Sequence, residues 1–181
     1  ANETEFLLTP EKKLNLQPLI DYIKCFPEKN FVIFGFTSPI WFQVVQKLIG
    51  SNQKLPPNNG ICIHGGGWKK MMDQSVDKAV FNDTVRKTLG VKSVHNYYGM
   101  VEQTGSVFVE CEEGHFHPSI FSEVIIRNEN LDVAAQGEIG LIQVASLLPE
   151  SYPGHNLITD DLGALQGVDD CKCGRKGKYF S

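Results

Sequence analysis

No stretch of this chain approaches the ~20 consecutive apolar residues that a bilayer-spanning helix needs, and no secretory leader opens it. Positive charge is not in excess: Lys and Arg number 17 against 21 Asp and Glu, for a net charge of -4. That removes the electrostatic case for a nucleic-acid backbone as partner. Cysteine is sparse and odd in number, five in all. Without a secretory signal, an odd count favours reduced thiols in a cytoplasm over a disulfide framework. Internal repeats and low-complexity tracts are missing. Methionine is missing from position 1, and Ala1-Asn2-Glu3-Thr4 reads as the start of a fragment or excised domain. What is present, 41% hydrophobic and 21% charged over 181 residues, is ordinary globular composition, enough for one normal domain or two small ones.

The first half alternates helical and strand patterns. Thr9-Pro10-Glu11 offers a cap, and Leu14, Leu19, Ile20 and Ile23 fit a helix to about Lys24, shortened or divided at Pro18. Phe31 to Phe36 is a continuous apolar run expected to be a strand buried on both faces. Ser38-Pro39 opens a helix with Trp41, Val44, Val45, Leu48 and Ile49 on one face, ending at Gly50. Ile61-Cys62-Ile63 is a second buried strand, and Cys25 and Cys62 read as core residues. Asp73 to Leu89 predicts a third helix, with Val76, Ala79, Val80 and Val85 inward and Gly90 as its stop. Val91 to Tyr98 is a third strand. Strand–helix–strand–helix–strand with short links implies parallel pairing and right-handed crossovers, with ligands beyond the carboxyl ends of the strands.

After Gly105 the texture changes to short β-like runs at Val107–Glu110, Phe121–Arg127, Ile139–Ala145, Leu157–Thr159 and Leu162–Gln166. The expected fold is therefore α/β: a parallel βαβαβ half over 1–104, then an antiparallel, β-rich distorted barrel over 105–181.

Four segments carry candidate chemistry. His95-Asn96-Tyr97-Tyr98-Gly99-Met100-Val101-Glu102 supplies an amide for a base edge, rings to stack, a glycine for close phosphate approach and a carboxylate for Mg²⁺. The plain alternative is a strand–turn–strand with surface tyrosines. His64-Gly65-Gly66-Gly67 matches an esterase oxyanion loop, but the Gly-x-Ser-x-Gly elbow is missing, and Ser75, Ser93, Ser106, Ser119 and Ser122 all lack its frame. It could equally be a flat platform for a purine or a tight strand–helix turn. Thr159-Asp160-Asp161 places two acids at the end of a short strand, for a ribose diol or for water. Cys111, His115, His117, Cys171 and Cys173 are zinc-compatible donor types, although Cys-x-Cys is tighter than usual spacing. Arg175, Lys176 and Lys178, beside Gly174 and Gly177, could meet phosphate or form an exposed basic hairpin. Phe34, Phe36, Trp41 and Phe42 could line an acyl tunnel or be plain core.

Together these segments resemble the adenylate-forming superfamily, and most closely its acyl-protein synthetase (LuxE) family and the phenylacetate–CoA ligases. The residues are His64-Gly65-Gly66-Gly67-Trp68-Lys69, Asn96-Tyr97-Tyr98-Gly99-Met100-Val101-Glu102, the run from Ser151-Tyr152-Pro153-Gly154 to Asp160-Asp161-Leu162-Gly163, and Cys171-Lys172-Cys173-Gly174-Arg175-Lys176-Gly177.

The resemblance implies that Asn96 contacts the adenine amino group and that Tyr98 stacks on adenine, with Gly65, Gly66 and Gly67 near its other side and Gly99 in the same segment. Glu102 would hold Mg²⁺ beside the phosphates and serve catalysis, and Asp161 would bind the ribose hydroxyls. It implies ATP-dependent activation of a carboxylic, fatty acid as acyl-adenylate, transfer to a thiol, and an acyl-reductase as partner protein.

Several departures stand out. Val101 replaces the family's usual Thr, and Asp160 its usual Gly. A Ser/Thr/Gly-rich phosphate loop and a mobile C-terminal lid are not found in the 181 residues, so the expected piece would be a poor catalyst alone. The family's acyl-accepting cysteine would fall beyond Ser181, so none of the five cysteines inherits that role. The rivals are a non-catalytic nucleotide-binding or interaction domain and an HGGG-type esterase.

Overall fold

A computed structural model describes residues 4–11, 13–68, 73, 75–150 and 153–181. The chain divides into two compact units, residues 1–95 and 96–181. Among the described residues, no helix is long and apolar enough to cross a membrane.

In the first unit, helix α1 runs Gln17–Cys25 with Pro18 in its opening turn. Proline is tolerated there because its missing N–H would have had no helical partner. The helix therefore carries Pro18 in its first turn rather than being divided by it. The preceding segment makes a small antiparallel turn instead, with a Leu8–Leu14 bridge. Cys25, expected in the core, is exposed at the helix end.

Strand β1 (Phe31–Phe36) pairs in parallel with β2 (Gly60–Gly65), from Phe31↔Gly60 to Phe36↔Gly65. Only Ile33 of β1 is buried; Val32 is 58%, Phe34 68% and Phe36 55% exposed. The continuous apolar run thus conceals a period-2 pattern, with one face inward. The expectation of burial on both faces fails, because alternate residues of β1 point to opposite faces and only the face carrying Ile33 is buried.

Between β1 and β2 the chain is helical in three consecutive pieces: α2 (Thr37–Pro39), a π-helical turn Ile40–Val45, and α3 (Gln46–Gly50). Ile40, Trp41, Val44, Val45 and Leu48 are buried, whereas Ile49 faces out. Helix α4 (Lys78–Leu89) begins at Asp77, whose carboxylate accepts from the Ala79 N–H at 2.8 Å. It buries Phe81, Val85, Thr88 and Leu89; Val80 is exposed, contrary to the expected face. Gly90 ends the helix at φ +67°, and a Cβ there would collide with the Pro56 carbonyl. Strand β3 (Ser93–Gly99) starts in this unit, and the Lys92 N–H donates to the Gly60 carbonyl at 2.8 Å. The core joins α1, the helix after β1, β2 and α4 around Val45, Cys62, Val85 and Leu89.

In the second unit, the end of β3 pairs antiparallel with β4 (Val107–Val109), from Tyr97↔Val109 to Gly99↔Val107. A second sheet, β5-β6-β7-β8, comprises Ser122–Arg127, Ile139–Ser146, Asn156–Val168 and Lys178–Phe180, paired antiparallel throughout. The two short strands expected at 157–159 and 162–166 are one strand, β7. Phe108, Val124, Val144 and Phe180 centre the core of this unit.

Candidate functional site

The carboxyl end of β3 is held by main-chain bonds on both sides of Asn96. Its N–H donates to the Glu110 carboxylate at 3.0 Å, and its carbonyl accepts from the Glu110 N–H at 2.8 Å. Two residues on, Tyr98 lays its ring on an aromatic cluster: near-parallel to Phe108 (6.2 Å, 24°), edge-on to Phe180 (6.1 Å, 85°) and tilted against Phe116 (6.2 Å, 52°). Three neighbours of that size fix a ring's plane. Gly99 follows, where a Cβ would sit 3.0 Å from the Ser106 carbonyl across the ladder. Val101–Gln103 then forms a 3-10 turn, with Val101 and Glu102 exposed. Gln103 is fully buried, and its Nε2 donates to the carbonyls of Val144 (2.8 Å) and Gly154 (2.6 Å). The turn that carries Glu102 is thereby tied to β6 and to the segment before β7.

Asp160 and Asp161 do not end a strand; they lie inside β7, at an irregularity. Leu141 pairs with Leu162 and Gln143 with Ile158, so Ile142 alone faces Thr159, Asp160 and Asp161. Such a bulge turns a side chain out of the regular alternation. Thr159 organises it. Its hydroxyl donates to the Ile142 carbonyl at 3.0 Å and accepts from the Asp161 N–H at 3.2 Å. Asp161 is left exposed, with its Oδ2 accepting from the Tyr98 hydroxyl at 3.0 Å. Burial, together with the Asp161 charge and hydrogen bond, pushes the Tyr98 phenol up to about 12, against a smaller downward pull from Thr159. Tyr98 is therefore a neutral donor at physiological pH. Asn96, Tyr98, Gly99, Glu102 and Asp161 belong to one unit, and the Tyr98 and Asp161 side chains meet directly.

Gly65, Gly66 and Gly67 belong to the other unit. Gly65 closes β2; Gly66 and Gly67 take φ of +77° and +56°, the left-handed region that glycine adopts without strain. A Cβ on Gly67 would meet nothing within 4 Å. His64 is buried, 4.5 Å from the Phe81 ring, with its Nδ1 2.9 Å from the Thr37 hydroxyl. That hydroxyl in turn donates to the Gly65 carbonyl at 3.0 Å. Lys69, Ser151 and Tyr152 lie outside the described residues.

Cys111, His117, Cys171 and Cys173 converge, with their ligand atoms all within 4.8 Å of one another. Cys111 and Cys171 Sγ are 3.9 Å apart, and Cys173 Sγ lies 3.4 Å from His117 Nε2. His115, grouped with them by residue type, stands beside the set, its Nδ1 3.6 Å from Cys171 Sγ. Burial and then the Arg175 guanidinium hold His117 below its ordinary value, so the ring is a neutral donor. Burial raises the Cys171 thiol to about 11. Burial also acts upward on Cys173, but the Arg175 N–H and the neighbouring thiols outweigh it and lower that thiol.

Two basic residues of this region are engaged. Lys176 donates to the Asp169 carbonyl at 2.9 Å, and Lys178, in β8, pairs with Glu123 at 2.8 Å. Phe34 and Phe36 are exposed, Trp41 is core and Phe42 packs against the core. Sequence reading missed Thr159, Gln103 and Thr37. Thr159 had a signal, since a hydroxyl two residues before Asp161 can accept that residue's N–H. A lone Gln or Thr carries no such signal.

The acyl-protein synthetase LuxE family matches residues 9–181. Among curated proteins, the long-chain-fatty-acid–luciferin-component ligase of Aliivibrio fischeri is 29% identical over 110 residues, 59% of this chain and 29% of that protein. The ligase of the same name from Vibrio harveyi is 29% identical over 107 residues, 58% of this chain and 28% of its own length. The chain thus matches under a third of each relative. Among solved structures, the anthranilate CoA ligase AuaEII in complex with anthranoyl-AMP aligns with a TM-score of 0.56 at 15% identity, over 90% of this chain and 31% of that one. VinN aligns with a TM-score of 0.54 at 16% identity, over 90% and 42%. MatB from Rhodopseudomonas palustris aligns with a TM-score of 0.53 at 15% identity, over 92% and 33%. At such identities these structures speak for the fold, an α/β architecture shared with adenylate-forming enzymes. The chain belongs to the acyl-protein synthetase LuxE family.

Proposed function

We propose that this chain carries the adenosine-gripping part of an ATP-dependent ligase that activates a fatty acid and hands it to a thiol. The observation behind this reading is the 3.0 Å bond between Tyr98 and Asp161. It brings an aromatic ring and a carboxylate together at the end of β3, the pair that a nucleoside needs for its base and its ribose diol. Tyr98 stacks on the adenine and Asn96 takes its amino group. Asp161 accepts from the ribose hydroxyls, keeping the Tyr98 hydroxyl as a further donor.

Glu102 fits a Mg²⁺ site: it is an exposed hard-oxygen donor on a turn anchored by Gln103, suited to an ion that keeps most of its waters. When bound, Mg²⁺ supplies charge neutralisation on the phosphates. An oxygen of the fatty carboxylate attacks the α-phosphorus of ATP. The bond to the bridging oxygen breaks, and pyrophosphate leaves. A thiolate then attacks the acyl carbon, the bond to the AMP oxygen breaks, and AMP leaves. The residues named here orient the nucleotide, which is where such chemistry gains its proximity advantage. The partners of the whole protein would be the acid and a fatty-acyl reductase.

Calorimetric titration of the 181-residue chain with ATP and with a nonhydrolysable acyl-adenylate tests this. Saturable binding, weakened at least about tenfold by Asp161→Ala, is expected from the loss of charge-assisted hydrogen bonds. Equal affinity in wild type and variant, or binding to neither ligand, overturns the reading. The chain alone should turn over slowly or not at all; full acyl-adenylate production by it would refute that part.

A further inference from the structure

We propose that Cys111, His117, Cys171 and Cys173 hold one structural Zn²⁺ that clips the turn after β4 to the turn between β7 and β8.

The four donors are the types zinc prefers, and a closed set of four protein ligands is the structural kind of site. Their spacing agrees with a shared tetrahedral centre. Zn–S and Zn–N bonds of about 2.3 and 2.05 Å place sulfurs about 3.8 Å apart and a sulfur about 3.6 Å from a nitrogen. The separations found are 3.9 Å for Cys111 to Cys171 and 3.4 Å for Cys173 to His117. A disulfide needs sulfurs at about 2.05 Å and would leave a third thiol and an imidazole unused in the same cluster.

The two turns that present the cysteines share one geometry. The Cys111 carbonyl accepts from the Gly114 N–H and the Cys171 carbonyl from the Gly174 N–H, each at 3.0 Å. Both glycines lie in the left-handed region, at φ +81° and +83°. Each turn thus folds back on itself and projects its thiol from the start of the bend. Three thiolates and a neutral imidazole around Zn²⁺ carry one net negative charge. Arg175, two residues after Cys173, supplies a positive charge next to the set in the chain.

The clip has a consequence within the same unit. The backbones of Phe116 and Phe180 bond reciprocally at 2.9 and 3.0 Å, beside His117 and close after the Cys171–Cys173 turn. Both rings pack on Tyr98. A metal that fixes the two turns therefore also steadies the aromatic bed beneath Tyr98.

The test uses the 181-residue chain, purified under reducing conditions and dialysed against a weak chelator. Metal analysis should return about one zinc per chain, and Co²⁺ exchanged into the site should show the visible bands of a tetrahedral thiolate complex. Stripping with a strong chelator should lower Tm and expose additional reactive thiols, both restored by added Zn²⁺. Cys173→Ser should weaken zinc binding at least about tenfold. If that variant does not fold, the Co²⁺ spectrum of the unmutated chain decides. Less than about 0.1 zinc per chain with all thiols reduced, no tetrahedral Co²⁺ bands, or a Cys111–Cys171 disulfide in the reduced preparation each overturns the proposal.

Discussion

The Gln103 side chain, fully buried, donates its Nε2 to the Val144 carbonyl at 2.8 Å. The same nitrogen reaches the Gly154 carbonyl at 2.6 Å, while its Oε1 has no hydrogen-bond partner among the described residues. One amide thus satisfies two buried acceptors, and among the described residues its own acceptor is unmet. Gln103→Leu removes both donations but also relieves the orphaned oxygen. The net cost should be about 1–3 kcal/mol, read as a fall of about 2–4 °C in Tm per kcal/mol for a chain of this size. Because Glu102 is the preceding residue, the Mg²⁺ dependence of ATP binding should weaken more than the binding of a phosphate-free adenosine ligand. Equal losses for both would count against a role for Gln103 in placing Glu102.

Tyr98→Phe should change how stability depends on high pH. In the folded chain the phenol is pushed up to about 12 from its ordinary value of 10, first by burial. The folded state therefore binds the proton more tightly than the unfolded state. This contribution to stability is fully present below pH 10 and is lost as pH rises through the folded value. Urea midpoints measured for both proteins should show wild type losing stability faster between pH 10 and 12, with the gap constant below that window. Parallel curves throughout would mean that the Tyr98 hydroxyl titrates alike in both states.

Thr159→Val isolates the bulge from the acid that it carries. The substitution keeps the shape but loses the donation to the Ile142 carbonyl (3.0 Å), the acceptance from the Asp161 N–H (3.2 Å) and a longer contact with the Tyr98 hydroxyl (3.4 Å). Asp161 should then sample more positions. ATP affinity should drop by roughly three- to tenfold, less than for Asp161→Ala, consistent with about 1 kcal/mol for misplacing one hydrogen-bonding group. Calorimetry on both variants orders them. A Thr159→Val chain that binds like wild type would show that β7 keeps its bulge without the hydroxyl.

Element types were legible where periodicity and punctuation agree. Gly90 stops α4 as its φ of +67° requires, and the strands at 107–109, 122–127 and 139–146 lie within a few residues of their expected runs. Burial was less legible. An all-apolar hexamer such as Phe31–Phe36 looks the same whether one face or two are covered, and only the packing on each side of the sheet decides. β7 read as two pieces because Asp160-Asp161 resembles a turn; a bulge and a turn use the same short polar residues. The pairing of Tyr98 with Asp161 spans 63 positions and rests on register, which local patterns do not encode. The zinc-compatible donors were visible as residue types, but their convergence depends on β8 and the turn before it, and β8 was not foreseen at all.

Thr37 offers the last prediction, one about a proton. Its hydroxyl donates to the Gly65 carbonyl at 3.0 Å and lies 2.9 Å from His64 Nδ1. A hydroxyl has one hydrogen to give. With that hydrogen on Gly65, the proton in the second bond must belong to Nδ1, which then donates to the Thr37 oxygen. Neutral His64 should therefore be the Nδ1–H tautomer, held on the strand that leads into the glycine turn. Nitrogen-15 NMR of the imidazole, which separates protonated from bare ring nitrogens, should show this in wild type. In Thr37→Val, both the Gly65 carbonyl and His64 Nδ1 lose this partner. That should cost about 1–3 kcal/mol, since both groups sit in the interior, and the tautomer preference should relax. A spectrum with the proton on Nε2 in wild type would reverse the assignment and make the Thr37 hydroxyl the donor to His64.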